Sequence, residues 1–114
     1  MISAELKYIR SSDFDVETVV PDDPEDCSLW IEAGIGTPGE EGSDMFQFEV
    51  CTPAWLARDA RENSGVTMGC YRIIVSRWNY HVVRMALERL CRGTTGKDWD
   101  QVAAKLARYG HWQF

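Results

Sequence analysis

The segment CSLWIEAGIGTPGEEGSDMFQFEVC, residues 27–51, decides the fold. Apolar side chains recur at every second position in CSLWIEAGIG, and the same alternation returns in DMFQFEVC. A period of two puts successive side chains on opposite faces of a strand, so both runs predict half-buried strands. The predicted core-facing residues are Leu29, Ile31, Ala33, Ile35, Phe46, Phe48 and Val50. The predicted outward-facing residues are Trp30, Glu32, Gly34, Gln47 and Glu49.

The two runs are joined by TPGEEGS, residues 37–43. Pro38, Gly39 and Gly42 are residues that favour turns, and no helical period crosses them. The sequence therefore predicts an antiparallel hairpin with a long acidic tip.

The chain before the hairpin predicts one strand and one surface connection. AELKYIRS, residues 4–11, alternates weakly and offers Tyr8 and Ile9 for burial. The acidic stretch that follows is interrupted by Pro21 and Pro24 and predicts a loop, with a short extended piece at residues 16–20.

After the hairpin, Thr52 is a candidate N-cap and Pro53 suits the first position of a helix, which Gly65 ends. GCYRIIVSRW, residues 69–78, predicts a fourth strand. Because Ile74 adds an apolar side chain to its second face, we expect that strand to be central and covered on both faces.

Two further helices are predicted in the C-terminal third. The first is capped by Asn79 and ended by Gly93, with an apolar stripe at Tyr80, Val83, Leu87, Leu90 and Cys91. The second begins at Asp98, with Gln101 completing a variant capping box, and Gly110 ends it. Its predicted buried stripe is Trp99, Val102, Ala103, Leu106 and Tyr109. In the closing HWQF, Trp112 and Phe114 are expected to pack against the domain.

The predicted element order is β-β-β-α-β-α-α, with strands in the first half and helices in the second. This order indicates the α+β class: a four-stranded antiparallel or mixed sheet with helices packed on one face. A chain of 114 residues fits a single domain, residues 1–114.

Charge is divided unevenly along the chain. Residues 1–50 contain thirteen acidic and two basic residues, whereas residues 51–114 contain five acidic and ten basic ones. An acidic half disfavours nucleic acid as a ligand and favours a basic protein partner. No apolar run is long enough to cross a bilayer and MISAELKYIRSS lacks the apolar core of a secretory signal, so we expect a cytoplasmic protein without a membrane partner.

Motifs that carry chemistry are weak. Cys27, Cys51, Cys70 and Cys91 contain no close pair of the kind that binds zinc, and they are interpreted as reduced, small core residues. PDDPED lacks the alternating oxygen ligands of a calcium loop, and GIGTPGEEG is too acidic to hold a phosphate. The histidines His81 and His111 have no nucleophile beside them in the sequence. We therefore predict no catalytic residue, no metal and no cofactor.

The remaining feature is the acidic surface itself. An exposed tryptophan bounded by carboxylates suits a basic protein partner, with the ring as anchor and the charges steering the approach. The predicted partner-binding residues are Asp22, Asp23, Glu25, Asp26, Trp30, Glu32, Glu40, Glu41, Asp44 and Glu49. The opposing interpretation is that the loops are acidic for solubility and Trp30 packs under a helix.

Three stretches of the chain resemble a known family. DFDVETVVPDDPEDCSLWIEAGIG, PGEEGSDMFQFEVCTPAWL and RYGHWQF resemble, in collinear order, the Imm8 immunity proteins of bacterial polymorphic toxin systems. The resemblance implies a small cytosolic protein that binds and neutralises a cognate toxin domain. Many toxins of these systems are nucleases, whose substrate grooves are basic, so the resemblance implies occlusion of such a groove by the acidic surface.

Two other classes stay open at the level of sequence. One is a small hydrolase that uses a carboxylate or the pair Cys70 and His81, and the other is an adaptor for some other basic protein. The sequence does not settle the oligomeric state.

Overall fold

The computed structural model describes residues 1–113. In chain order the elements are β1 (Glu5–Arg10), β2 (Ser28–Gly36), β3 (Asp44–Cys51), α1 (Pro53–Glu62), β4 (Arg72–Ile74), α2 (Tyr80–Gly93), α3 (Trp99–Leu106) and β5 (His111–Gln113). The α+β class and the predicted element order are confirmed, with β5 added at the end.

The hairpin of β2 and β3 is antiparallel and in continuous register from Ser28 opposite Cys51 to Ile35 opposite Asp44. Every residue predicted to face the core is buried: Leu29, Ile31, Ala33, Ile35, Phe46, Phe48 and Val50. Full burial of a large apolar side chain contributes about 1.5–3 kcal/mol, so this paired row dominates the stability of the sheet.

The sheet is mixed, with strand order β1-β2-β3-β4. Strand β1 is antiparallel to β2, and β4 is parallel to β3 at residues 49–51. Strand β5 is antiparallel to β3 at residues 45–47. Because β2 occupies one side of β3, the short strands β4 and β5 share its other side, one after the other.

The prediction of a long, central fourth strand is wrong. Strand β4 has three residues, and Ile74 at its end is 60% exposed. Tyr71, just before it, has a φ of 65°, in the left-handed region, which interrupts the extended conformation. Moreover, β4 pairs with one strand at the side of the sheet.

The predicted N-caps are confirmed. Thr52 Oγ1 accepts a hydrogen bond from the backbone N–H of Trp55 and also one from Cys27, so it ties α1 to the start of β2. Asn79 Oδ1 accepts from the N–H of His81 at 2.9 Å, and Asp98 Oδ1 accepts from that of Gln101 at 2.9 Å. Each cap satisfies a donor that the first helical turn leaves unpaired.

Helices α2 and α3 cover the core face of the sheet through buried Val83, Leu87, Cys91, Val102, Ala103 and Leu106. Tyr109 was predicted to belong to this stripe but is 55% exposed, because α3 ends at Leu106 and the helical spacing ends with it. Helix α1 has no buried residue and contacts the opposite face beside β4, so packing on one face holds for α2 and α3 only.

The acidic connection is a series of turns, and the predicted extended piece at residues 16–20 is absent from it. The N–H of Val19 donates to the carbonyl of Asp15, and Val16 is buried in the core. At the other end of the chain, the ring of Trp112 stacks on Phe46 with 6.2 Å between ring centroids. Phe114, which was expected to pack similarly, lies outside the described residues.

Candidate functional site

One face of the sheet is largely free of helices, and we call it the outer sheet face. Residues opposite each other in paired strands project to the same side, so the registers assign its members. Those outside the contact with α1 include Tyr8, Arg10, Trp30, Glu32, Met45, Gln47, His111 and Gln113. These residues come from β1, β2, β3 and β5 and lie across the whole width of the sheet.

Arg10 connects the first three strands on this face. Its guanidinium lies 5.0 Å from the centroid of the Tyr8 ring, and its Nη2 is 3.7 Å from the sulfur of Met45. Its Nε is 3.9 Å from a carboxylate oxygen of Glu32. The ring of Tyr8 lies flat over Gly34, where a Cβ would come within 2.0 Å of it. Gly34 is thus the reason that an aromatic ring fits against β2.

Trp30 is the most exposed aromatic residue of the outer sheet face, with 49% of its surface accessible. It lies on β2 opposite Glu49 and follows the last turn of the acidic connection, at residues 23–26, by only a few residues. The alternative interpretation, in which Trp30 packs under a helix, is wrong. A rigid, half-exposed indole on a paired strand is the side-chain type that most often anchors a protein interface.

Glu49 does not share this exposure, contrary to the prediction that it faces solvent. Only 5% of it is accessible, because Arg72 Nε donates to it at 2.8 Å and Ser28 Oγ at 2.5 Å. Arg72 in turn lies 5.6 Å from the ring of Trp55 on α1, and 3.8 Å separates its Nη2 from Asp59. The hydrogen bond to Glu49 raises the pKa of Arg72, despite the opposing effect of burial. Glu49 therefore stabilises the junction of β3, β4 and α1.

The far end of the outer sheet face is polar. Gln113 Nε2 lies 2.6 Å from His111 Nδ1, and the ring of Tyr71 lies 5.3 Å from the His111 ring. These side chains hold one another in place and extend the surface onto β5.

The exposed acids among the predicted binding residues form two groups. Asp22, Asp23 and Glu25 precede β2, whereas Glu40 and Glu41 lie in the loop after it, and all five are exposed. The nine residues of β2 separate the groups by roughly 30 Å at ~3.3 Å per residue. The two groups therefore border the outer sheet face at opposite ends and do not form one continuous patch.

Besides Glu49, two more of the predicted acids are engaged inside the protein. Asp26 Oδ1 accepts a hydrogen bond of 2.5 Å from Arg58 on α1. Asp44 Oδ2 accepts from Nε1 of Trp99 at 2.9 Å and from Nε1 of Trp112 at 3.0 Å. Both carboxylates are half-buried, so we assign them structural roles.

Tyr8, Arg10, His111 and Gln113 were not predicted to belong to this surface. The segments that contain these residues predict at most a strand. Whether a residue lies on the outer sheet face depends on the register in which the strands pair, and no local sequence signal specifies that register. The β-bulge at Lys7 also shifts Tyr8 to the face opposite the one that simple alternation gives.

No hydrogen bond between described residues joins Cys70 to His81, and no group of three or more His, Cys, Asp or Glu among residues 1–113 is placed to hold a metal. Three of the four thiols are buried as expected, and burial raises the pKa of Cys51 and of Cys91 to about 11. Cys70 is exposed, contrary to the expectation for a core residue. Within residues 1–113 no helix is both long and apolar enough to span a membrane.

The described residues form an α+β domain whose outer sheet face carries Trp30 and Tyr8 and is bordered by exposed carboxylates. Residues 4–114 match the family model of immunity protein 8, and the chain belongs to this family. The family is that of an immunity protein in toxin–immunity systems. No curated protein and no solved structure matches the chain.

Proposed function

We propose that this protein binds the toxin domain encoded with it and neutralises that domain by covering a basic substrate groove with the outer sheet face. The observation that carries the proposal is the position of Trp30: it is half exposed, on a sheet face largely free of helices, with free carboxylates at both ends of its strand. This arrangement has an aromatic centre and a charged rim, as protein interfaces do.

The two acidic groups supply the attraction. Asp22, Asp23 and Glu25 at one end and Glu40 and Glu41 at the other are exposed, and none of the five has a basic side chain within ion-pair distance among the described residues. Their field extends into solvent and accelerates encounter with a positively charged groove. A nuclease domain, whose groove binds phosphates, is the toxin class that this charge fits best.

The outer sheet face supplies the contact area. Its central side chains are of types that are enriched at interfaces, namely Trp30, Tyr8, Arg10 and Met45. Arg10 is already held by Tyr8 and Glu32, so little side-chain freedom is lost when a partner docks on it. The proposed action is steric and electrostatic, takes place in the cytoplasm and requires no catalytic step by the immunity protein itself.

The test is rescue of toxicity. The toxin's C-terminal domain is expressed in a susceptible cell with the intact immunity protein, with a Trp30→Ala variant or with a Tyr109→Ala variant. Tyr109 is a matched control, because it is an aromatic residue of similar exposure located after α3, away from β2.

We expect the wild type and Tyr109→Ala to restore growth and Trp30→Ala to restore it poorly. If the toxin kills equally with and without the wild-type protein, the proposed function is wrong. If both variants protect fully, neutralisation stands but the outer sheet face is not the binding surface.

A further inference from the structure

The loop between α1 and β4 exposes apolar side chains where polar ones are usual. Residues 63–71 read NSGVTMGCY and contain no charged residue. Val66 is 59% exposed and Met68 73%, and Ile74 at the end of β4 is 60% exposed. We call these three residues the β4 rim. Exposed apolar side chains that are grouped on a protein surface commonly mark a site of protein interaction.

Arg72 holds this loop against the sheet. Its Nη1 donates to Thr67 Oγ1 at 2.6 Å and to the carbonyl of Met68, while its Nε donates to Glu49 at 2.8 Å. The side chain of Arg72 is only 12% exposed. Thr67 is half-buried, whereas its neighbours Val66 and Met68 are exposed. These hydrogen bonds fix Thr67 toward the sheet and leave the side chains on either side of it in solvent.

The β4 rim is continuous with the outer sheet face. Trp30 lies opposite Glu49, and Glu49 lies opposite Arg72, so the three residues form one row across β2, β3 and β4. At ~4.8 Å between neighbouring strands, the backbone of Arg72 lies roughly 10 Å from that of Trp30. Ile74 follows Arg72 by two residues and projects to the same side of the sheet. Because Arg72 also bonds the backbone of Met68, a partner that covers Trp30 reaches this loop as well.

Tyr71 attaches the other end of the loop. Its carbonyl accepts a hydrogen bond of 2.8 Å from the N–H of Glu49, and its ring lies 5.3 Å from the ring of His111. The loop is therefore held at Thr67, Met68 and Tyr71, between β4 and β5. A loop that is already fixed in one conformation loses little freedom when a partner binds to it.

We propose that the β4 rim is a second, apolar contact for the toxin domain beside Trp30. The inference rests on the proposed function and adds the chemistry of the partner: the toxin domain carries an uncharged, apolar surface next to its basic groove. Protein interfaces commonly combine an apolar area with a polar, charged border. Arg72 is the positioning residue of this contact, since it bonds the loop and is itself nearly buried.

The toxin domain is the occupant because of where the β4 rim lies and because the loop lacks charge. The exposed carboxylates at the two ends of β2 attract a basic surface, whereas residues 63–71 offer that surface no charge. Nucleic acid is a poor occupant, since its phosphates bind cationic side chains and this loop has none. The β4 rim thus distinguishes toxins with similar grooves by the fit of an apolar contact.

The experiment is surface plasmon resonance with the immobilised C-terminal domain of the toxin and the full immunity protein. Met68→Ala should raise the dissociation rate about tenfold with little change in the association rate, because methionine carries no charge. Met85→Ala is the matched control. Met85 is also an exposed methionine, at 62%, but it lies on α2, in the layer that covers the core face of the sheet. Its replacement should leave both rates unchanged.

A second variant tests the positioning by Arg72. Thr67→Val removes the hydroxyl that accepts from Arg72 and keeps the size of the side chain. It should raise the dissociation rate about threefold, because the loop must then be ordered on binding. In the double variant Thr67→Val with Met68→Ala, the effect of Thr67→Val should be smaller, because the side chain that it positions is gone. A general destabilisation would act equally in both backgrounds, and equal effects would overturn the positioning role.

The outcomes separate this inference from the proposed function. A wild-type protein that does not bind the toxin domain overturns both. Binding that is weakened by Trp30→Ala and not by Met68→Ala overturns the β4 rim alone. Equal effects of Met68→Ala and Met85→Ala also overturn it, since the change would then not depend on the location of the methionine. Circular dichroism confirms that each variant is folded.

Discussion

Arg72 Nε donates a hydrogen bond of 2.8 Å to Glu49 Oε1, and the two side chains are only 12% and 7% exposed. The pair joins two adjacent parallel strands whose pairing covers three residues. With so few ladder hydrogen bonds, the attachment of β4 depends on side chains. Arg72 extends that attachment by donating to Thr67 at 2.6 Å and to the carbonyl of Met68.

The first prediction concerns this pair. Glu49→Ala leaves the guanidinium of Arg72 largely buried without its main carboxylate, so we expect a loss of about 3–5 kcal/mol in the free energy of unfolding. Urea unfolding followed by circular dichroism measures the loss. Glu41→Ala, which removes an exposed carboxylate from the hairpin tip, is the control and should change stability by less than about 0.5 kcal/mol. Equal stability of the two variants would contradict the structural role of Glu49.

The second prediction concerns Asp44, whose carboxylate accepts hydrogen bonds from the indoles of Trp99 and Trp112. These bonds fasten the start of α3 and strand β5 to the beginning of β3. Asp44→Ala removes the acceptor from two half-buried donors, so we expect a destabilisation of about 2–4 kcal/mol. The tryptophan emission should also shift to the red as the C-terminal strand loosens. Unaltered stability and emission would show that water replaces the carboxylate without cost.

The hairpin could be predicted from the sequence because its information is local. The alternation in β2 and β3 identifies the core face without reference to any other element, and the caps Thr52, Asn79 and Asp98 act within one helical turn. The features that were wrong depend on distant partners. Glu49 has the position of a solvent-facing residue, but it is buried because Arg72, 23 residues later in the chain, and Ser28 donate hydrogen bonds to it.

The short strands show the same limit. Strands β4 and β5 have three residues each, which is too few for a period to be recognised, and both are defined by the side of β3 that they share. The candidate site was half predicted for this reason. Trp30 and the exposed acids were identified from β2 and its loops, whereas Tyr8, Arg10 and His111 join the surface only through the register of neighbouring strands.

The third prediction compares two glycines. A Cβ at Gly110 would lie 2.5 Å from the buried ring of Phe48, so Gly110→Ala should destabilise the protein by about 1–3 kcal/mol through overpacking. A Cβ at Gly93, the last residue of α2, meets open space. Gly93→Ala should therefore be neutral or stabilise by up to about 1 kcal/mol. Thermal unfolding of both variants checks the contrast, and equal midpoints would contradict the close contact at Phe48.

The fourth prediction concerns alkaline pH. Burial, the largest cause, raises the pKa of Cys51 and of Cys91 from 9.0 to about 11. Between about pH 9 and about pH 11 the unfolded chain loses the thiol protons while the native chain keeps them. The free energy of unfolding therefore falls as the pH rises through this range. The fall should be at most about 3 kcal/mol for each thiol. Cys91→Ala should lose part of this pH dependence, whereas Cys70→Ser, which alters an exposed thiol, should keep it.

The last prediction separates steering from anchoring when the toxin domain binds. Reversing Asp22, Asp23 and Glu25 to Lys should lower the association rate about tenfold or more at low salt, because the carboxylates act on the approach. The effect should shrink at higher ionic strength as the charges are screened. Trp30→Ala should instead raise the dissociation rate, by about 30-fold if the indole is a hot spot. Surface plasmon resonance with Tyr109→Ala as control measures both rates.

The kinetic pattern is informative because the acids and the indole lie on different parts of the molecule. The double variant Glu40→Lys with Glu41→Lys tests the other end of β2. A smaller decrease of the association rate in that variant would place the toxin nearer to residues 22–25. If charge reversal changed only the dissociation rate, the acids would contact the toxin directly, and the assignment of their role as long-range attraction would be wrong. Unchanged rates in Trp30→Ala would remove the outer sheet face from the interface, because Trp30 is the half-exposed indole of that face.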